Sequence, residues 1–184
     1  MPHKCPWYLG YFLINPLRRI RQNPAPILAP HVRSGFTVFE PGPGMGYFTL
    51  ELARMVGPSG KVYAVDVEPR MLAALDRRVK AAGLAGRVNT RLAGGESFGI
   101  GDLAGTIDFV LAFAVVHELP SAERFFAEAA SAMKPGATML FAEPTGHVAA
   151  ADFEGSCAGA AAAGLTIKAR PAIWLSHAVV LIKA

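Results

Sequence analysis

Phe36-Thr-Val-Phe-Glu-Pro-Gly-Pro-Gly-Met-Gly46 decides the fold. An apolar run closes on an acid, Glu40, and glycines follow at 42, 44 and 46. Apolar residues then recur at helical spacing over 47–56, with Phe48, Leu52 and Met55 on one face. Strand, glycine-rich turn and helix in this order form the layout of a nucleotide-type cofactor loop. Glycine permits positive φ and a close approach of backbone to ligand. A tight strand–helix turn without a ligand could also use glycines. The acid Asp66, closing the next apolar run Lys61–Asp66, favours the cofactor reading.

Working outward, strand-like runs keep alternating with helical patterns. Residues 69–82 place Leu72, Leu75, Val79 and Ala82 on one side, and Arg70, Asp76, Arg77 and Lys80 on the other. Pro69 suits a first helical turn and Gly83 a stop. Val88–Leu92 reads as a third strand, and 94–105, rich in glycine, as a long loop. Ile107–Phe113 is strongly apolar, as expected of a central strand covered on both faces. Residues 121–133 read as a helix capped by Ser121, with Phe125, Phe126 and Ala129 inward. Lys134-Pro-Gly136 then turns into a strand over 137–142. A weak alanine-rich helix over 152–164 and two strands, 166–170 and 178–183, complete the chain. The order predicts an α/β fold: a doubly wound, Rossmann-like seven-stranded sheet, mostly parallel with an antiparallel last strand.

Residues 1–34 differ, being rich in proline and aromatics without strand alternation. They are expected to form an N-terminal helical cap or lid on a domain spanning 35–184. The apolar stretch 7–14 is followed by Arg18, Arg19 and Arg21, whereas an export signal places its charge first. A cytoplasmic protein without stable membrane insertion is therefore expected. The stretch reads as a packed helix, with an interfacial amphipathic helix as the alternative.

Of the 184 residues, 52% are hydrophobic and 17% charged, which fits one domain around a buried sheet and excludes a disordered chain. Two cysteines, Cys5 and Cys157, make no disulfide framework. The net charge of +4 is spread out and does not indicate nucleic acid.

The loop itself discriminates among cofactors. A dinucleotide fingerprint starting at Gly42 needs glycine at 47, where this chain has Tyr47. That disfavours a nicotinamide dehydrogenase. A carboxylate aimed into the turn would also repel a pyrophosphate, and suits a ligand with an ammonium group and no phosphate. S-adenosylmethionine is such a ligand. Val38 to Gly46 resembles motif I of the class I S-adenosylmethionine-dependent methyltransferases, and Lys61–Asp66 resembles the motif that follows it. Ile107–Phe113 and residues 133–140 resemble strand four and the turn into strand five. The likeness spans 36–184 and is greatest to the small, single-domain, UbiE-like type.

That resemblance implies roles. Glu40 would hold the methionine amino group, with Gly42, Pro43, Gly44 and Gly46 forming the backbone beneath the cofactor. Asp66 would accept from the ribose hydroxyls, Val67 and Met71 would pack beside adenine, and the backbone at Phe113 would face the methionine end. One departure stands out: Ala93-Gly94 occupies the place where the family often has Gly-Asp. Adenine must then be held by Gly95, Glu96, a backbone carbonyl or stacking.

Methyl transfer from a sulfonium is an in-line displacement, so alignment and desolvation dominate. A base helps only where the acceptor sheds a proton. Residues just past strands four and five are placed for this: His117, Glu143 and His147 are the catalytic candidates. His117 reads equally as a base, an orienting donor or a loop cap, and Glu118 as a helix-start or surface residue. Cys5 with those side chains lacks metal-ligand spacing, so no metal is expected. Cys157 reads as core and His177 as structural, while Tyr8, Tyr11 and Phe12 could form a lid or simply pack.

The Asn/Asp-Pro-Pro-aromatic signature of amino-methylating nucleic-acid enzymes is replaced here by Ala112-Phe-Ala-Val-Val-His-Glu118. A small-molecule acceptor is expected, with a lipid or quinone at a membrane surface as a variant. The remaining alternative is a non-catalytic member of the fold acting as a partner protein.

Overall fold

The computed structural model describes residues 21–94 and 97–184. Its seven strands are β1 (Thr37–Pro41), β2 (Lys61–Asp66), β3 (Val88–Leu92), β4 (Ile107–Phe113), β5 (Met133–Pro144), β6 (Leu165–Ala169) and β7 (Ser176–Lys183). They lie in the order β3-β2-β1-β4-β5-β7-β6. β1 pairs parallel with β2 and β4, and β4 parallel with β5. β7 runs antiparallel to both β5 and β6. This is the doubly wound sheet the alternation predicts, including its antiparallel last strand. The chain reverses strand order beside β1, so the crevice between the carboxyl ends of β1 and β4 is the natural ligand position.

Among the described residues five α-helices flank the sheet: α1 (Pro24–Leu28), α2 (Thr49–Met55), α3 (Pro69–Ala81), α4 (Ala122–Ala132) and α5 (Ala150–Ala162). Side chains alternate between the two sheet faces. Val38, Val62, Ala64, Phe109, Leu111 and Leu140 meet Leu52, Leu72, Leu75 and Val79 of α2 and α3 on one face. Phe39, Val65, Val110, Met139 and Phe141 meet Phe125, Phe126, Phe153 and Cys157 of α4 and α5 on the other. Leu28 and Val32, from the segment read as a cap, are buried in the first of these layers.

The caps follow local chemistry. Glu68 precedes α3 and its Oε1 accepts from the Arg70 amide at 3.0 Å, while Ser121 Oγ accepts from the Arg124 amide at 3.1 Å. The structure corrects the reading around Lys134-Pro-Gly136. Pairing with β4 already starts at Ile107↔Met133, and the next pair is Phe109↔Thr138. The extra residues bulge within β5, and Gly136 takes φ +78°. Asp108 closes this region by accepting from the Thr37 amide (2.8 Å) and Lys134 Nζ (2.5 Å). No helix of the described residues is long and apolar enough to cross a membrane. Cys5, Tyr8, Tyr11, Phe12 and the apolar stretch 7–14 lie outside the described residues.

Candidate active site

The glycine loop joins β1 to α2 with Gly42, Gly44 and Gly46 at φ +62°, +54° and +84°. The three glycines are needed for different reasons. A Cβ on Gly42 would come within 2.6 Å of Val115 Cγ2, and one on Gly46 within 2.4 Å of Leu75 Cδ1. Those two let the loop seat against the protein itself. A Cβ on Gly44 would meet nothing within 4 Å, so this stretch of loop borders open space. Pro43 between them is buried. The Gly42 amide donates to the Val65 carbonyl at 2.9 Å, locking the loop to the end of β2.

Behind the loop, the Glu40 side chain is buried at 4% exposure, and its Oε2 has no hydrogen-bond partner among the described residues. Burial pushes its carboxyl up to about 8; nearby Thr49 pulls the other way and the Asp66 charge adds to the rise. The Thr49 hydroxyl is likewise buried without a hydrogen-bond partner. Two orphaned polar atoms beside a loop bordering empty space are unusual, because such atoms are normally satisfied.

Asp66, at the end of β2, accepts from the Gly44 amide through Oδ2 (3.3 Å) and from the Glu68 amide through Oδ1 (3.0 Å). Burial raises its pKa, against the pull of those amides. A carboxylate offers about four acceptor sites, so Asp66 keeps capacity for further donors. Val67 beside it is 40% exposed and lines a cavity of about 210 Å³. Ala93, Phe98, Leu119 and Phe125 give that cavity apolar walls, and Ser97, Arg124 and Glu128 its polar rim. Met71 does not reach this cavity: it is buried under the loop with Met45 and Ala74. Arg78 donates to the Met45 carbonyl from the same side. Gly95 and Glu96 lie outside the described residues.

Glu128 has no precedent in the sequence reading. From α4 it accepts from Ser97 Oγ (3.0 Å), the Phe98 amide (3.1 Å) and the Ile100 amide (3.4 Å), and so holds the loop after β3. Its only signal in sequence is an acid on a helix, which reads as surface.

At the carboxyl end of β4, Phe113 packs on Phe48 at 4.6 Å between ring centroids. Ala114 follows at φ +55°, a conformation that costs an L-residue free energy and often marks a functional turn. The chain then passes Val115, which touches the glycine loop, and enters a 3₁₀ turn over Val116–Glu118.

The structure brings His117, Glu143 and His147 together. Glu143, at the end of β5, is 2% exposed and spends Oε1 on the amides of Val116 (2.7 Å) and His117 (3.3 Å). Its Oε2 lies 2.5 Å from His117 Nδ1. The Glu143 partnership raises the His117 pKa above its ordinary value, with burial opposing it. The His147 ring stands edge-to-face with that of His117 at 5.7 Å, and Glu118 Oε1 is 3.9 Å from His117 Nε2. Cys157 is buried in the α5 layer, where burial pushes its thiol up to about 11, far from a reactive thiolate. His177 packs its ring on Phe153 at 5.4 Å.

These residues fit S-adenosylmethionine. The unsatisfied buried carboxylate of Glu40 matches an ammonium, Asp66 has free acceptor capacity for ribose hydroxyls, and the cavity beyond Val67 offers apolar walls to a base.

Comparison with known proteins agrees. The sequence model of a family described as "Methyltransferase domain" matches residues 39–141. The chain is 30% identical over 112 residues to the ubiquinone/menaquinone biosynthesis C-methyltransferase UbiE of Pasteurella multocida. That match covers 61% of this chain and 41% of the relative, so the chain spans about two fifths of the relative's length. Among solved structures, a SAM-dependent methyltransferase from Aquifex aeolicus superposes with TM-score 0.88 at 23% identity, covering 98% of this chain and 100% of that one. The [4+2]-cyclase SpnF shares the fold with TM-score 0.68 at 19% identity, covering 81% of this chain and 59% of its own.

Proposed function

The chain belongs to the methyltransferase-domain family, and from that premise we propose that it passes the methyl group of S-adenosylmethionine to a small-molecule acceptor. It is an S-adenosylmethionine-dependent methyltransferase; the nature of the acceptor is our reading. The observation that carries it is Glu40: a buried carboxylate with an unpartnered oxygen behind a glycine loop that borders open space. In this reading Glu40 holds the amino group, through water, and the backbone from Gly42 to Gly46 lies under the methionine. Asp66 takes the ribose, and Val67 with its neighbours takes adenine.

A small acceptor is favoured over nucleic acid because several surface cations are already committed. Arg91 pairs with Asp102 at 2.7 Å, Arg170 with Glu154 at 2.7 Å and Arg54 with Glu51 at 3.0 Å. In this reading the N-terminal segment caps the acceptor rim, and its described part, 21–34, carries the argument. In support, the Tyr47 hydroxyl donates to the Gln22 carbonyl (2.8 Å), and Gln22 Nε2 donates to the Trp174 carbonyl (3.0 Å). Exposed Trp174 and Leu175, together with the likeness to UbiE, favour an apolar or quinone-like ring as the variant acceptor.

Calorimetry tests the donor site. Wild type should bind S-adenosylmethionine and S-adenosylhomocysteine, and Glu40→Ala and Asp66→Ala should each weaken binding about tenfold or more, the scale of a lost charge-assisted contact. Unchanged affinity in both variants would refute the assignment. Labelled methyl transfer to a quinol, compared with water-soluble acceptors, separates the two acceptor readings.

A further inference from the structure

The rim past β4 and β5 contains a pair, buried Glu143 and partly exposed His117, that donor binding alone does not require. Glu143 is almost wholly enclosed and directs all its hydrogen bonding at one turn: two amides and the His117 ring. His117 in turn is 21% exposed at its side chain, so it opens to the rim while its Nδ1 side is held. Among the described residues Glu118 Oε1 lies 3.9 Å from His117 Nε2, beyond hydrogen-bond distance. The turn is attached to the donor loop, because Val115 touches the Gly42 backbone. The pair therefore adjoins the loop proposed to lie under the methionine end of the donor.

The geometry points to His117 Nε2 as the proton acceptor of the transfer, with Glu143 as its positioning residue, and so to a methyl acceptor whose reacting oxygen or nitrogen carries a hydrogen. This rests on the methyltransferase reading above.

A carboxylate accepting from Nδ1–H sets the tautomer that leaves a lone pair on Nε2. During transfer a bond forms between the acceptor atom and the methyl carbon. The bond from that carbon to sulfur breaks, and its electron pair stays on sulfur. The acceptor's proton moves to Nε2, and the resulting imidazolium is neutralised by Glu143. Thioethers and tertiary amines have no proton to shed and would gain nothing from this arrangement. The charged and titratable groups facing His117 are Glu143 on β5, Glu118 on its own turn and His147 on the loop after β5. His177 is the register partner of Glu143 on β7. Glu143 is the dominant one and favours the protonated ring.

The test uses the full chain, labelled with ¹⁵N-histidine and loaded with S-adenosylhomocysteine; His117→Asn identifies the signal. Nitrogen NMR should show neutral His117 protonated at Nδ1. Its pKa should fall by about one unit or more in Glu143→Gln and be largely restored in Glu143→Asp. A proton on Nε2 in the neutral ring, or a pKa indifferent to Glu143→Gln, overturns the proposal. In parallel, 4-nitrophenol, methylamine and dimethyl sulfide are offered with labelled S-adenosylmethionine. Loss of about 100-fold in kcat/KM in His117→Asn for a protic acceptor, the usual size of a general-base effect, supports it. Equal turnover of a protic acceptor by both proteins overturns it. Calorimetry on the same samples keeps the two readings apart: failure to bind S-adenosylmethionine removes the donor site, whereas intact binding with an Nε2–H tautomer removes only the base.

Discussion

Glu40 is the residue on which the proposed donor site turns, and its burial has a measurable pH signature. A carboxyl raised from 4.5 to about 8 binds its proton more tightly in the folded than in the unfolded chain. Its contribution to stability is therefore full at pH values below about 4.5 and is lost as pH rises toward 8. Asp66 is shifted in the same direction. Denaturant titration of the free protein should show stability declining from about pH 5 to about pH 8, and Glu40→Gln should flatten that decline. An ammonium docking on Glu40 reverses the preference and expels the proton. Calorimetry at pH 7 in two buffers of different ionisation enthalpy should then register proton release on donor binding, absent in Glu40→Gln. Much of this was legible in sequence, because an acid preceding a glycine-rich turn is a local pattern. Glu143 holding His117 was not. The two are 26 positions apart and meet only because β4 and β5 are neighbours.

At the scale of elements, the glycine loop combines two demands that substitution can separate. Gly46→Ala forces a methyl onto Leu75 and Leu50 and also strains φ. It should lose about 2–5 kcal/mol of stability, the sum of left-handed strain and overpacking. Gly44→Ala meets open space and bears only the conformational strain of about 1–2 kcal/mol, yet it directs a methyl into the space proposed for the donor. Denaturation midpoints should rank Gly46→Ala as the less stable, while calorimetry should show Gly44→Ala, still folded, with weakened donor binding. Sequence shows three glycines at even spacing and cannot show which of them faces protein. The bounds of β2 and β4 were readable because runs rich in β-branched and aromatic residues ended on clear breaks. α5 was harder to bound: alanines on all sides leave little contrast between faces. The start of β5 was obscured by Pro135 and Gly136, which resemble a turn but lie in a bulge.

For the whole molecule, one sheet separates two apolar layers, and the layer under α4 and α5 contains a run of packed phenylalanine rings. Phe126 is fully buried, 5.1 Å from Phe125 and 5.3 Å from Phe141. Phe126→Ala should remove about 3–5 kcal/mol, read as a lower urea midpoint with the slope unchanged. A change confined to one probe, with the other layer's signal unmoved, would mean that the layers unfold separately.

The position of β7 has a consequence for how the chain is made. β7 inserts between β5 and β6, although it is the last of these seven strands to be translated. Until residues 176–183 emerge, the edge of β5 at Met139, Leu140, Phe141 and Ala142 has no partner, and β6 has nowhere to attach. The nascent protein thus carries an open apolar sheet edge while residues 145–175 are being translated. An open strand edge is a template for strand-to-strand pairing, so this is the window in which the chain is most exposed to aggregation.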